Sequence, residues 1–124
     1  SQESHNITDL SGLELCTSLA ELYLPDNRTS DLSSLASLTS LTRLDLGGNQ
    51  INDISPLASL TNFTALDLYA NKISDISPLV ENNGLGPGDF VRLEGNNLEM
   101  SADSEDTANI NTLRDRGVSV ITEP

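Results

Sequence analysis

Three consecutive segments of this 124-residue sequence align without gaps at a spacing of 22 residues. The segments run over residues 19–40, 41–62 and 63–84, and their apolar positions coincide in columns, such as Leu22, Leu44 and Leu66. Self-similarity at a fixed period is typical of repeat architectures, in which each unit buries its apolar face only by stacking on its neighbours. The period therefore predicts an elongated stack of similar units.

Within each segment the pattern predicts a short strand that ends in a polar turn. A Leu-x-Leu pair places two side chains on the same face of a strand, because successive side chains alternate between faces. An asparagine follows each pair, and its amide offers both a donor and an acceptor to buried backbone groups. Stacked copies are expected to form a structural asparagine ladder, which comprises Asn27, Asn49, Asn71 and Asn96.

The second half of each segment predicts a short helical return. In Ser55-Pro56 and Ser77-Pro78, the serine is expected to be the N-cap and the proline the first helical residue. An aspartate precedes each return, in a column made of Asp9, Asp31, Asp53 and Asp75. Stacked carboxylates invite a calcium hypothesis, but one aspartate per repeat fits backbone capping better than the six to eight converging oxygens that calcium prefers.

The complete pattern, L-x-x-L-x-L-x-x-N-x-I-x-D-[IL]-S-x-L-x-x-L, resembles that of leucine-rich repeats. Its length and its Asp-Ile-Ser-Pro-Leu segment are similar to those of the internalin-like bacterial subclass, over residues 7–98. The resemblance implies an α/β leucine-rich-repeat solenoid, a short right-handed β-α superhelix. Parallel strands are then expected on the concave face and short helical turns on the convex face.

The two ends depart from the period, although the whole chain, residues 1–124, is expected to form one domain. Residues 1–18 match the second half of a repeat, and residues 85–98 form an irregular fourth repeat with a strand at residues 90–93. Residues 99–124 predict a helix from Ser104 to Gly117 and a final strand over residues 118–121, joined by a right-handed crossover. This segment is similar to the closing unit of many bacterial leucine-rich-repeat proteins, so we expect a C-terminal helix-strand cap.

Composition argues against several classes of function. The chain carries 6 Lys and Arg against 19 Asp and Glu, a net charge of −13, which opposes binding to nucleic acid or to an anionic membrane surface. No apolar run approaches the ~18 residues needed to span a bilayer.

The side chains needed for catalysis are scarce. His5 is the sole imidazole and falls in the asparagine column, and Cys16 falls in an apolar column, where we expect it to be buried. We therefore predict no enzyme activity, no cofactor and no metal site.

Function is expected on the concave side of the sheet, which we call the strand face. Side chains that alternate with the buried leucines line it, and they include both tyrosines and one of the two phenylalanines. Tyrosine and arginine are enriched at binding hot spots, although any solvent-facing strand favours aromatic residues. The candidate partner-binding residues are Glu21, Tyr23, Arg43, Asp45, Asp67, Tyr69, Phe90 and Arg92.

The sequence thus predicts a non-catalytic module, monomeric, that binds a partner protein through the strand face. One alternative is a structural spacer domain within a larger secreted or surface protein. A second is an intracellular regulator that resembles leucine-rich-repeat phosphatase regulators. The family resemblance implies an extracellular or cell-surface location, and a cytoplasmic location remains open.

Overall fold

The computed structural model describes residues 10–122, in which the strands form one parallel sheet with the order β1-β2-β3-β4-β5. The predictions made for His5 and Asp9 lie outside these residues. The strands are β1 (Glu21–Tyr23), β2 (Arg43–Asp45), β3 (Ala65–Asp67), β4 (Phe90–Arg92) and β5 (Ser119–Ile121). The helices are α1 (Ser77–Glu81) and α2 (Glu105–Asp115), and 3-10 turns occupy Leu13–Leu15, Ser33–Leu35 and Ser55–Ser59. The predicted solenoid of strands and short helical returns is confirmed.

The register of the sheet follows the 22-residue period. Leu22 pairs with Leu44, and Leu44 pairs with Leu66, so that one leucine column runs across three strands. The next step spans 25 residues, and Leu66 still pairs with the corresponding residue, Val91. The three additional residues are therefore accommodated in the loop that precedes β4, and they do not shift the sheet.

The helical returns are capped by aspartate and not by serine. Ile54 immediately precedes the 3-10 turn, Ser55 lies within it, and no side chain caps the turn in the N-cap position. The expectation of a serine N-cap at Ser55 and Ser77 is therefore wrong. Instead, Asp53 Oδ1 accepts a hydrogen bond from the Ser55 N–H at 2.9 Å, because an aspartate side chain readily bonds the backbone two residues on. Asp31 and Asp75 make the equivalent bonds.

Asparagine side chains link neighbouring repeats beside the core. Asn49 Nδ2 donates to Leu24 O and to Leu46 O, both at 2.9 Å, while its Oδ1 accepts from the Thr29 N–H at 3.0 Å. Each such amide thus satisfies backbone groups in its own repeat and in the preceding one. The same set of bonds is formed by Asn71 with Leu46, Leu68 and Ile51, and by Asn96 with Leu68, Leu93 and Ile73.

The first turn of the described chain is less buried than the later repeats. Cys16 is exposed, whereas Leu38 and Leu60 in the same column are fully buried. The expectation that Cys16 is buried is therefore wrong. The repeat column predicts the direction of a side chain, but not its burial. Cys16 directly follows the first described 3-10 turn (Leu13–Leu15), whose only contact among the described elements is the turn of the next repeat.

The opposite end is closed by α2 and β5. Ser104 caps the helix by accepting the Thr107 N–H at 3.1 Å, and Gly117 ends it with a φ of 94° that favours glycine. Ile110 and Leu113 are buried on its inner face, and β5 pairs in parallel with β4. The helix and the strand form as the sequence predicts.

Candidate functional site

The strand face presents two parallel rows of side chains that point away from the leucine core. The first row is Glu21, Arg43, Ala65, Phe90 and Ser119. The second row is Tyr23, Asp45, Asp67, Arg92 and Ile121. Tyr69 and Glu94 follow β3 and β4 two residues further along the chain, where the Ala70 N–H still bonds Glu94 O at 2.8 Å. The structure therefore brings the eight predicted residues onto one surface.

The two tyrosines are the most exposed aromatic residues of this surface. Tyr23 is 52% exposed and Tyr69 is 45% exposed, so large parts of both rings are open to a partner. The Tyr23 hydroxyl donates to Glu21 Oε1 at 3.1 Å, which joins the two candidate residues of β1. Exposed aromatic rings of this kind supply contact area at low cost in side-chain entropy.

Arg92 is paired within the strand face. Its guanidinium donates to both carboxylate oxygens of Glu94, at 3.0 and 2.8 Å, and lies 3.6 Å from Asp67 Oδ2. The Arg92 guanidinium carbon also lies 4.9 Å from the centre of the Tyr69 ring, a cation–π arrangement. The bond from Arg92 lowers the pKa of Glu94, whose side chain is only 7% exposed, and the same bond raises the pKa of Arg92.

Asp45 has no comparable partner. Its Oδ1 accepts the Gly47 N–H at 3.0 Å, but no described residue forms an ion pair with it. Partial burial raises the pKa of Asp45, and the nearby carboxylates of Asp67 and Asp26 raise it further, against the lowering effect of the Gly47 bond and of Arg92. The carboxylate is thus held on the strand face with little compensating positive charge.

A shallow depression of about 190 Å³ lies between these groups. It is lined by Tyr23, Arg43, Asp45, Ala65, Asp67 and Phe90, together with the core leucines Leu44 and Leu66. Five of the eight candidate residues therefore surround one concavity, while Glu21, Tyr69 and Arg92 lie outside its lining. Its rim is mixed, with aromatic, acidic and basic side chains, as is common at protein interfaces.

The described residues contain no group of three His, Cys, Asp or Glu side chains placed to hold a metal ion. The aspartates of the helical side bond backbone N–H groups instead, as reported above for Asp31, Asp53 and Asp75. In the described part of the chain, no helix has the length and apolar character that crossing a membrane requires.

Two features of the structure are absent from the sequence predictions. The first is the pairing of Arg92 with Glu94, for which the available signal is two opposite charges two residues apart on one strand face. The second is Asn82, which is fully buried and donates to Leu57 O and Leu60 O, both at 2.9 Å. Asn82 lies 22 residues after Leu60, in a column that is otherwise apolar. A polar residue in such a column is the sequence signal that predicts a buried, hydrogen-bonded amide.

Comparisons with known proteins agree with this architecture. A family model described as leucine-rich repeats, two copies, matches residues 39–81. No curated protein sequence matches the chain. Among solved structures, internalin C2 from Listeria monocytogenes is 36% identical, with a TM-score of 0.74 over 96% of this chain and 48% of its own. The internalin inlF from the same species is 34% identical, with a TM-score of 0.81 over 94% of this chain and 32% of its own.

A leucine-rich-repeat protein from Leptospira interrogans, 21% identical, shares the fold with a TM-score of 0.75 over 97% of this chain and 30% of its own. The chain thus spans about half the length of the first of these structures and about a third of the other two.

Proposed function

Because this chain is a leucine-rich-repeat protein of the internalin-like type, we propose that it is a non-catalytic module that binds a partner protein through its strand face. Leucine-rich repeats generally form protein-interaction surfaces, and a stack of repeats offers an extended face for this purpose. The proposed contact residues are Glu21, Tyr23, Arg43, Asp45, Asp67, Tyr69, Phe90 and Arg92.

The observation that carries this proposal is the exposure of both tyrosines of the chain, Tyr23 and Tyr69, on one surface. Tyrosine is among the residues whose truncation costs most at protein interfaces. The depression between Tyr23 and Phe90 adds a concave feature into which a partner side chain fits. A net charge of −13 favours a protein partner over nucleic acid. By family resemblance, we place the module outside the cell or on its surface, and we expect it to be monomeric.

Affinity capture from a lysate and a surface fraction of the source organism tests this proposal. The bait is the wild-type chain beside a Tyr23→Ala/Tyr69→Ala variant. Arg92 is left unchanged, because its removal strands the buried carboxylate of Glu94 and confuses binding with stability. A Leu15→Ala/Met100→Ala variant is the matched control, since these residues are 83% and 44% exposed and lie outside the strand face.

We expect a protein that is retained by the wild type and by the control but lost by the tyrosine variant. Equal retention by all three baits would refute a role for the strand face. Empty captures from both fractions would favour the alternative of a structural spacer within a longer protein.

A further inference from the structure

The depression on the strand face exists because β3 contributes an alanine where its neighbours contribute large side chains. Ala65 pairs with Arg43 of β2 on one side and with Phe90 of β4 on the other. Adjacent strands lie about 4.8 Å apart, so Arg43 and Phe90 start roughly 9–10 Å from each other across the alanine methyl group. That gap is wide enough for one partner side chain.

The walls of the gap combine aromatic rings with carboxylates. Tyr23 and Phe90 supply the rings, and Asp45 and Asp67 supply the carboxylates. Asp45 has no ion-pair partner among the described residues, and Asp67 meets Arg92 only at 3.6 Å. Burial raises the pKa of Asp45, and repulsion from the carboxylates of Asp67 and Asp26 raises it further, so a cation placed here would stabilise the ionised carboxylate.

The neighbouring part of the same face already holds a cation in this way. Arg92 lies between the Tyr69 ring, 4.9 Å away, and the carboxylates of Glu94 and Asp67. One aromatic ring and two carboxylates thus surround the planar, delocalised charge of a guanidinium. A guanidinium stacks on the ring and donates paired hydrogen bonds to a carboxylate. The depression over Ala65 also combines rings with carboxylates, and the arginine in its lining, Arg43, forms no ion pair with either carboxylate.

We propose that the depression over Ala65 is the recognition site for a cationic side chain, arginine or lysine, of the partner protein. This inference rests on the proposed function, since it assumes that the strand face binds a protein. The apolar part of the incoming side chain packs on the alanine methyl group and the Phe90 ring. Its charged end meets Asp45, the carboxylate that lacks a cation of its own.

Arg43 provides a way to test whether the side chain that occupies the depression is positively or negatively charged. It is exposed and forms no ion pair with Asp45, although both lie on the same face of β2. A cationic occupant is repelled by Arg43 and attracted by Asp45, whereas an anionic occupant experiences the opposite. Neutralising each residue in turn therefore separates the two cases by the direction of the change in affinity.

The probe is a displayed library of short linear random peptides, selected on the wild-type chain and counter-selected on Ala65→Trp, which fills the depression. We expect the selected peptides to share an arginine or lysine at one position. Binding of the synthetic peptide should weaken at least about tenfold, about 1.4 kcal/mol, on Asp45→Asn. That variant keeps the acceptor for the Gly47 N–H, so its fold is preserved. Binding should be unchanged or tighter on Arg43→Gln, and unchanged on the charge-matched control Asp103→Asn.

Selected peptides without a shared basic residue, or binding that Arg43→Gln weakens and Asp45→Asn does not, would overturn the cationic occupant while leaving strand-face binding intact. If no peptide distinguishes the wild type from Ala65→Trp, the depression is not a side-chain site and the inference fails. The proposed function is judged separately, by the capture experiment with the tyrosine variant.

Discussion

Replacing Asn49 by alanine tests how the repeats are held together. The Asn49 amide donates to Leu24 O and Leu46 O at 2.9 Å and to Gly47 O at 3.4 Å, and its Oδ1 accepts from the Thr29 N–H at 3.0 Å. The carbonyl oxygens of Leu24 and Leu46 retain another donor after the substitution, because Asn27 Nδ2 also bonds Leu24 O and Asn71 Nδ2 also bonds Leu46 O. The Thr29 N–H, in a residue that is fully buried, loses the hydrogen bond that Asn49 Oδ1 accepts.

Loss of a hydrogen bond to a buried backbone group costs about 1–3 kcal/mol, so the free energy of unfolding should fall by about that amount. Urea unfolding followed by circular dichroism measures it. Asn52→Ala is the matched control, since Asn52 is exposed and no hydrogen bond to its side chain is formed within the described residues. Its effect should stay within about 0.5 kcal/mol. If Asn49→Ala unfolds at the same urea concentration as the Asn52 control, the reasoning about the ladder is refuted.

Three further predictions concern the core and the charges. Leu46→Ala should lower the free energy of unfolding by about 2–5 kcal/mol because it opens a cavity at a fully buried site, whereas Leu15→Ala, 83% exposed, should change it little in the same assay. Asp45→Asn should stabilise the chain at pH 7, because the raised pKa of Asp45 means that its ionised form opposes folding. This gain should vanish as the pH falls below the ordinary value of 3.8, where the unfolded chain is also protonated, and a gain that persists there would contradict the assignment. Adding salt from about 0.05 to about 0.5 M should raise the melting temperature as self-repulsion is screened, and an unchanged melting temperature would count against repulsion as a significant term.

The sequence was sufficient to predict the architecture because the repeat period determines which residues become neighbours. A spacing of 22 residues placed Glu21 beside Arg43 and Arg43 beside Ala65, and the pattern in the irregular repeat placed Phe90 next in the row. These relations depend only on strand periodicity and parallel pairing, so the register of the strand face could be predicted without coordinates.

The 22-residue period does not predict burial or hydrogen bonds that depend on which other groups lie nearby. Cys16 shares a column with fully buried leucines, yet it follows the first described turn and is exposed. Ser55 precedes a proline, as an N-cap serine often does, but Asp53 accepts the hydrogen bond from the Ser55 N–H and Ser55 lies within the turn. The sequence places Arg92 on the strand face, but the period does not predict that its guanidinium is bonded to Glu94. Each of these outcomes depends on which groups compete for one position, which periodicity does not specify.

The most direct test of strand-face binding is the dissociation constant of the captured partner for two tryptophan variants. Ala65→Trp fills the depression of the strand face, and Ala36→Trp places the same side chain at an exposed alanine on the helical side. Strand-face binding predicts a dissociation constant at least about tenfold higher for Ala65→Trp and an unchanged value for Ala36→Trp. An unchanged affinity for Ala65→Trp, with a loss for Ala36→Trp, would contradict it and would place recognition on the opposite side of the solenoid.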